Sequence, residues 1–233
     1  MGVVLEAVCG SVDEALAAVE AGADRLEVCA ALPTGGVTPS LGMIEAIRDR
    51  VGVPIVAMIR SHEGALTASE AEIAAMERDI RALPAHEFVF GILRADGTID
   101  QEAVLRLFDA AAGRPCCFHR VFDRVPQPHE ALEQLVRWGF RRVLTSGGAD
   151  SAPEGTNAIR TLVAQAAERI TILPGGGIRP GNARALVEAT GCDELHFSFR
   201  TTTDAPAYPG APAFRPDPDR IRAIRAEVDD LGP

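Results

Sequence analysis

The sequence predicts an α/β protein, a (β/α)8 barrel of the TIM type, and three observations carry the prediction. Eight short apolar runs recur along 233 residues, and each is followed by an Ala-rich stretch with apolar residues three and four apart. Polar signatures end several of these runs: Ala-Asp-Arg-Leu-Glu-Val-Cys at 23–29, Phe-His-Arg-Val-Phe-Asp at 118–123, Leu-Thr-Ser-Gly-Gly at 144–148 and Pro-Gly-Gly-Gly-Ile-Arg at 174–179. A parallel strand buried on both faces otherwise carries Val, Ile and Leu, so the polar ends read as one shared site. The third observation is a repeated punctuation of cap, helix, glycine and strand.

In chain order, strands are expected at 3–8, 25–29, 54–60, 87–93, 116–121, 142–146, 171–174 and 194–199. Helices are expected at 12–20, 41–50, 70–83, 101–111, 129–138, 156–168, 182–189 and 218–231. Ser40, Ser69, Asp100 and Asp217 precede helical runs, where a side-chain oxygen accepts from the free amides of the first turn. Pro128, Pro180 and Pro218 stand at helix starts, where a missing N–H costs nothing. Gly22, Gly113, Gly139 and Gly191 close helices in the manner of a left-handed C′ residue. An open doubly wound sheet is the alternative, but it needs a crossover that reverses direction, and no break marks one. The stretch 201–216, rich in Ala and Pro and carrying Tyr208 and Phe214, is read as an irregular loop over the mouth: a passive connector, or a lid or subunit contact.

Composition sets outer bounds. With 47% hydrophobic and 24% charged residues, the chain can bury the core of a single domain spanning 1–233. No apolar stretch approaches the roughly 18 residues of a membrane span, and the N-terminus lacks a basic-then-apolar signal, so a cytoplasmic protein without a membrane partner is expected. A net charge of −10 with one Trp and one Tyr argues against nucleic acid and leaves room for a local basic site for a small anion. Five cysteines at irregular spacing read as reduced thiols. A homo-oligomer is the expected assembly.

Strand parity selects the inward side chains. Glu6 and Val8 share a face, as do Glu27 and Cys29, then Cys117, His119 and Val121, then Glu194, His196 and Ser198. A charged or imidazole group inside an apolar barrel is costly unless it is paired or serves a solvated mouth. Glu27, His119, His196, Glu6 and Asp123 are therefore the candidate acid–base residues. Glu6 or Glu27 paired with Arg25, Arg60 or Arg120 would instead close a barrel layer. Arg60 and Arg120 suit bidentate capture of a carboxylate or phosphate. Gly175, Gly176 and Gly177, leaving the seventh strand ahead of Pro180, offer bare amides for a phosphate, with Ser198 facing the same corner. Thr145 and Ser146 form a second such candidate.

Taken in order, Glu6 with Gly22-Ala-Asp-Arg-Leu-Glu-Val-Cys29, Gly35-Gly-Val-Thr-Pro-Ser40, Met58-Ile-Arg60, Phe118-His-Arg-Val-Phe-Asp123, Leu144-Thr-Ser-Gly147, Pro174-Gly-Gly-Gly177 and His196-Phe-Ser198 resemble the signatures of the CutC copper homeostasis family. The resemblance implies a cytoplasmic TIM barrel associated with copper tolerance and Cu(I) as its ligand. Cu(I) prefers thiolate or thioether, and the resemblance implies inward cysteines ending the first two strands. The second is Cys29. The position two after Glu6 holds Val8, and Cys9 has the opposite parity, joining only through a shift onto the loop. After Met58-Ile-Arg60 the family pattern continues Pro-Arg-Gly-Gly-Asp-Phe, whereas this chain reads Ser61-His-Glu-Gly-Ala-Leu66. His62 restores the lost positive charge only when protonated. Two functions follow: a copper-linked binding protein, or a metabolic enzyme for a small anionic or phosphorylated compound.

Overall fold

The computed structural model describes residues 2–64, 66–203 and 214–231. Strands β1 (Val4–Cys9), β2 (Arg25–Val28), β3 (Ile55–Met58), β4 (Glu87–Phe90), β5 (Cys116–Phe118), β6 (Arg142–Thr145), β7 (Thr171–Pro174) and β8 (Glu194–Ser198) alternate with helices. These are α1 (Val12–Glu20), α2 (Leu41–Arg48), α3 (Glu70–Ala82), α4 (Gln101–Ala110), α5 (Pro128–Trp138), α6 (Thr156–Ala166), α7 (Ala183–Thr190) and α8 (Pro218–Val228). Each strand pairs in parallel with its chain neighbour, β1 also pairs with β8, and a bridge from Gly175 to His196 draws the end of β7 against β8. That consecutive order is a barrel and excludes the doubly wound alternative. No helix among the described residues is long and apolar enough to cross a membrane.

Local chemistry sets the helix starts. Ser11, Ser40, Ser69 and Asp100 each accept from an amide of the following turn, and Ser69 with Glu72 forms a reciprocal capping box. Three expectations need correction. Asp217 makes no side-chain cap bond, and α8 starts on Pro218 alone. Pro180 does not open a helix; α7 begins at Ala183, after a turn in which the Asn182 side chain accepts from the Arg179 amide. The stretch 201–216 is not wholly irregular: β9 (Arg200–Thr202) and β10 (Phe214–Pro216) pair antiparallel, and Tyr208 lies outside the described residues.

Two apolar layers follow from the period-two alternation of the strands. Leu5, Leu26, Ile55, Phe88, Phe118 and Leu195 pack outward against the helices. Val8, Cys29, Val56, Met58, Val89, Cys117, Leu144 and Leu173 fill the barrel interior. Beneath that inner layer lies one of charge. Arg25 bonds both Glu6 and Glu194, while Arg142 bonds Glu194 at 2.8 Å and also reaches Glu87. The bottom of the barrel is therefore closed by an ion-pair chain.

Candidate functional site at the barrel mouth

Above the inner layer, at the C-terminal ends of the strands, a cavity of about 590 Å³ opens. Such a mouth is where βα loops of this fold gather polar side chains. Val8, Met58, Val121 and Leu144 belong to its apolar lining, Glu27 and His196 to its floor, and Arg60, His119, Arg120 and Asp123 to its rim.

The floor rises out of the ion-pair layer. Glu6 gives one carboxylate oxygen to Arg25, and its other oxygen lies 2.7 Å from Nδ1 of His196. Burial opposes the Glu6 charge, yet Arg25 and His196 outweigh it and hold the carboxyl at about 2. For His196, burial disfavours the cation, but the Glu27 charge and the Glu6 hydrogen bond raise its pKa overall. Glu27 is treated differently by its surroundings. Burial raises its pKa, Glu6 adds to the rise, and no arginine among the described residues pairs with it; its hydrogen-bond donor is the Cys29 thiol at 3.4 Å. Glu6, Glu27 and His196 thus form a compact group whose donor atoms all lie within 4.8 Å of one another.

The rim is held by backbone and by one aspartate. Arg60 donates to the carbonyls of Gly36 and Thr34, at 3.2 and 3.5 Å, and meets no carboxylate among the described residues. The fifth strand was expected to carry His119 and Val121 on one face, but β5 stops at Phe118 and the chain tightens into a 3₁₀ turn, Arg120–Arg124. His119 caps that turn, its Nδ1 accepting from the Val121 amide at 3.3 Å, which places the ring proton on Nε2. Val121 joins the outer apolar cluster and also lines the cavity beside His119. Burial, with the Arg60 charge behind it, lowers the His119 pKa to about 4, so this imidazole is neutral at pH 7. Gly91 makes the arrangement feasible, since a Cβ there would lie 2.6 Å from Val121 and 2.9 Å from the His119 ring.

Asp123 is a clasp. It accepts from Arg120 Nε at 3.0 Å, from the amides of Ser146 and Gly148, and from the hydroxyls of Thr145 and Ser146. Thr145 and Ser146, expected as anion donors, therefore face Asp123. Arg120 also donates to Ser146 at 2.6 Å. Gly175, Gly176 and Gly177 are not among the residues lining the cavity: the Gly175 amide bonds Thr145 in the sheet, and Gly176 backs the Arg120 guanidinium. Ser198, expected in the same corner, is exposed and accepts from the Arg200 amide at 3.4 Å. Cys29 belongs to the barrel interior, whereas Cys9 sits in the outer layer with its thiol toward the Ala7 carbonyl. Burial raises the pKa of both thiols. His62 turns away to Glu72, at 2.7 Å, and lines no part of the main cavity.

With the geometry in place, comparison with known proteins identifies the family. The model of the CutC family matches residues 3–201. The chain belongs to the CutC family. A Homo sapiens protein named copper homeostasis protein cutC homolog is 42% identical over 207 residues, covering 88% of this chain and 76% of its own. A CutC family protein of Sinorhizobium medicae is 40% identical over 239 residues, covering 98% and 97%. The crystal structure of a CutC from Streptococcus agalactiae superposes with a TM-score of 0.80 at 31% identity over 84% of this chain and 98% of that one. Phosphoribosylanthranilate isomerase from Thermotoga maritima, with a TM-score of 0.61 and 15% identity over 98% and 100% of the two chains, shares the fold alone.

Within this CutC-family barrel, the expected pairing of Glu6 with Arg25 is present, whereas Arg142 as the second anchor of the floor, and Gly91 and Arg124 at the mouth, were not among the expected residues. A signal for Arg142 existed. Arg25 and Arg142 share parity with the inward residues Glu27 and Leu144, so two buried arginines had to find carboxylates.

Proposed function

We propose that this CutC-family protein serves copper homeostasis, the role its relatives are named for, and acts through the cavity at the barrel mouth. One observation carries the placement: Arg60 without a carboxylate, Glu27 without an arginine and neutral His119 line the same cavity. Copper as Cu(I) would take soft donors. Cys29 and Met58 supply them, for both belong to the inner cluster, and a Cβ at Gly36 would sit 3.1 Å from the Cys29 sulfur and 3.7 Å from the Met58 methyl. Cys9 would join only by leaving the outer layer. Five free, buried cysteines fit a reducing, cytoplasmic setting.

Competition against a Cu(I) chelator tests the reading. Modest affinity that is lost in Cys29→Ala and unchanged in Cys9→Ala is expected. Tight one-to-one binding abolished by Cys9→Ala would show that the ligand comes from the other side of β1.

The uncompensated Arg60 favours a second reading, an enzyme for a small anionic compound. Arg60 and Arg120 would hold the anion, and Glu27 or His119 would move a proton. A phosphate group on that compound would fall to the two arginines rather than to Gly175–Gly177, and that arm fails if millimolar phosphate leaves the melting temperature unchanged.

A further inference from the structure

We propose that Glu6, Glu27 and His196 form a binding site for a divalent metal ion of the Zn²⁺ class on the cavity floor, with one coordination position open to the cavity. The inference does not depend on Cu(I) binding at Cys29. Zn²⁺ binds imidazole nitrogen and carboxylate oxygen at about 2.1 Å, so two donors on a tetrahedral ion lie roughly 3.4 Å apart. Donor atoms already within 4.8 Å of one another close onto one ion through small side-chain movements.

Unmet valence points the same way. Glu27 is 3% exposed and His196 is 9% exposed. One Glu27 oxygen meets the Cys29 thiol at 3.4 Å, and the other has no hydrogen-bond partner among the described residues. His196 engages Glu6 through Nδ1 and leaves Nε2 without one. Both side chains line the cavity. Both open atoms face the cavity rather than being sealed from it, so a ligand entering the mouth can reach this side of the floor.

Charge sets the valence of that ligand. Inside the barrel the carboxylates of Glu6, Glu27, Glu87 and Glu194 face the two guanidiniums of Arg25 and Arg142, and a divalent cation matches the excess. Donor type sets its class. Two oxygens and one imidazole suit a borderline or hard ion and offer no sulfur to attract Cu(I). Arg25 acts as a positioning residue, because it fixes one Glu6 oxygen and turns the other toward His196. An ion with three protein donors keeps a position for water or for an oxygen of a bound anion, and Arg60 and Arg120 border the same space.

Calorimetric titration of the metal-stripped full chain with Zn²⁺ tests the proposal, alongside Glu27→Gln, which leaves the ion-pair chain below intact, and His129→Ala as a surface-histidine control. One ion per chain with a Kd in the micromolar range or tighter is expected, weakened at least tenfold by Glu27→Gln and unchanged by His129→Ala. No saturable binding, or binding that Glu27→Gln weakens less than tenfold, overturns the site. Anomalous diffraction from wild-type crystals soaked in Zn²⁺ needs no variant. Density between the three donors supports the proposal; density elsewhere, or none, overturns it. Cys29→Ala separates the two metals, since it should abolish Cu(I) binding and retain Zn²⁺.

Discussion

The lower and upper halves of the barrel interior carry similar residues in opposite conditions. Below, Glu6, Arg25, Glu194, Arg142 and Glu87 bond in an unbroken chain, every charge beside its opposite. Above, Glu27, His196, His119 and Arg60 share a cavity without a single arginine–carboxylate pair between them. Removing one member of a buried pair strands the other, whereas removing an unpaired charge relieves an existing penalty. The difference teaches which charges hold the barrel together and which stay open to its mouth. Asp123 stands between the two: it lies at the mouth, yet its bonds to Thr145, Ser146 and Arg120 make it part of the scaffold.

The largest expected effect tests the lower half. Arg142→Met strands Glu87 and leaves Glu194 with Arg25 alone, and should destabilise by about 3–5 kcal/mol, lowering the melting temperature by roughly 10 °C in thermal denaturation. Near-wild-type stability would mean that the ion-pair chain is dispensable. Asp123→Ala comes next, with a loss of about 2–3 kcal/mol because a charged acceptor leaves two hydroxyls and two amides behind. It should also weaken phosphate binding by freeing Arg120, which equilibrium titration would read. Glu27→Gln should lie within about 1 kcal/mol of wild type, or above it, by denaturant unfolding. A loss as large as that of Arg142→Met would erase the distinction between the two halves.

The smallest effect concerns His119. Asn keeps an acceptor for the Val121 amide, so His119→Asn should leave the melting temperature at pH 7 nearly unchanged while removing ligand binding. A fall of several degrees would assign this histidine to the core. Its pH signature is specific. The His119 pKa is lowered from 6.5 to about 4 in the folded state, so on acidification the unfolded chain takes up the proton first. Its contribution to stability is complete above about pH 6.5 and is lost as the pH falls toward 4. Melting temperatures across that window should decline less steeply in His119→Asn than in the wild type.

Much of the site was legible before any coordinates. Parity placed Glu6, Glu27 and His196 on inward faces, and their donor atoms lie within 4.8 Å of one another because adjacent strands keep register: Glu6 opposes His196 on one side, and Val8, two residues on, opposes Glu27 on the other. Parity also set Cys9 apart from Cys29. It brought His119 to the cavity, although the strand ends one residue earlier and a 3₁₀ turn does the placing, and it had no bearing on Thr145 and Ser146, whose hydroxyls turn to an aspartate more than twenty residues away. Ser198 escaped it for a related reason: at the last residue of β8 the chain turns into the β9–β10 ribbon, and the side chain stands in solvent.

Sequence by itself determined what depends on neighbours along the chain. The alternation of eight strands with eight helices, the Ser and Asp caps, the glycine stops and the inward or outward sense of each strand residue all arise from periods of 2 and 3.6 and from the chemistry of single turns. Only the tertiary structure decided which inward charges would be satisfied. Barrel closure sets Arg25 between Glu6 and Glu194, partners 19 and 169 residues away, and leaves Glu27 one strand over with a thiol for company. That choice depends on strand stagger and on the reach of two arginines across the lumen, neither of which has a local signature.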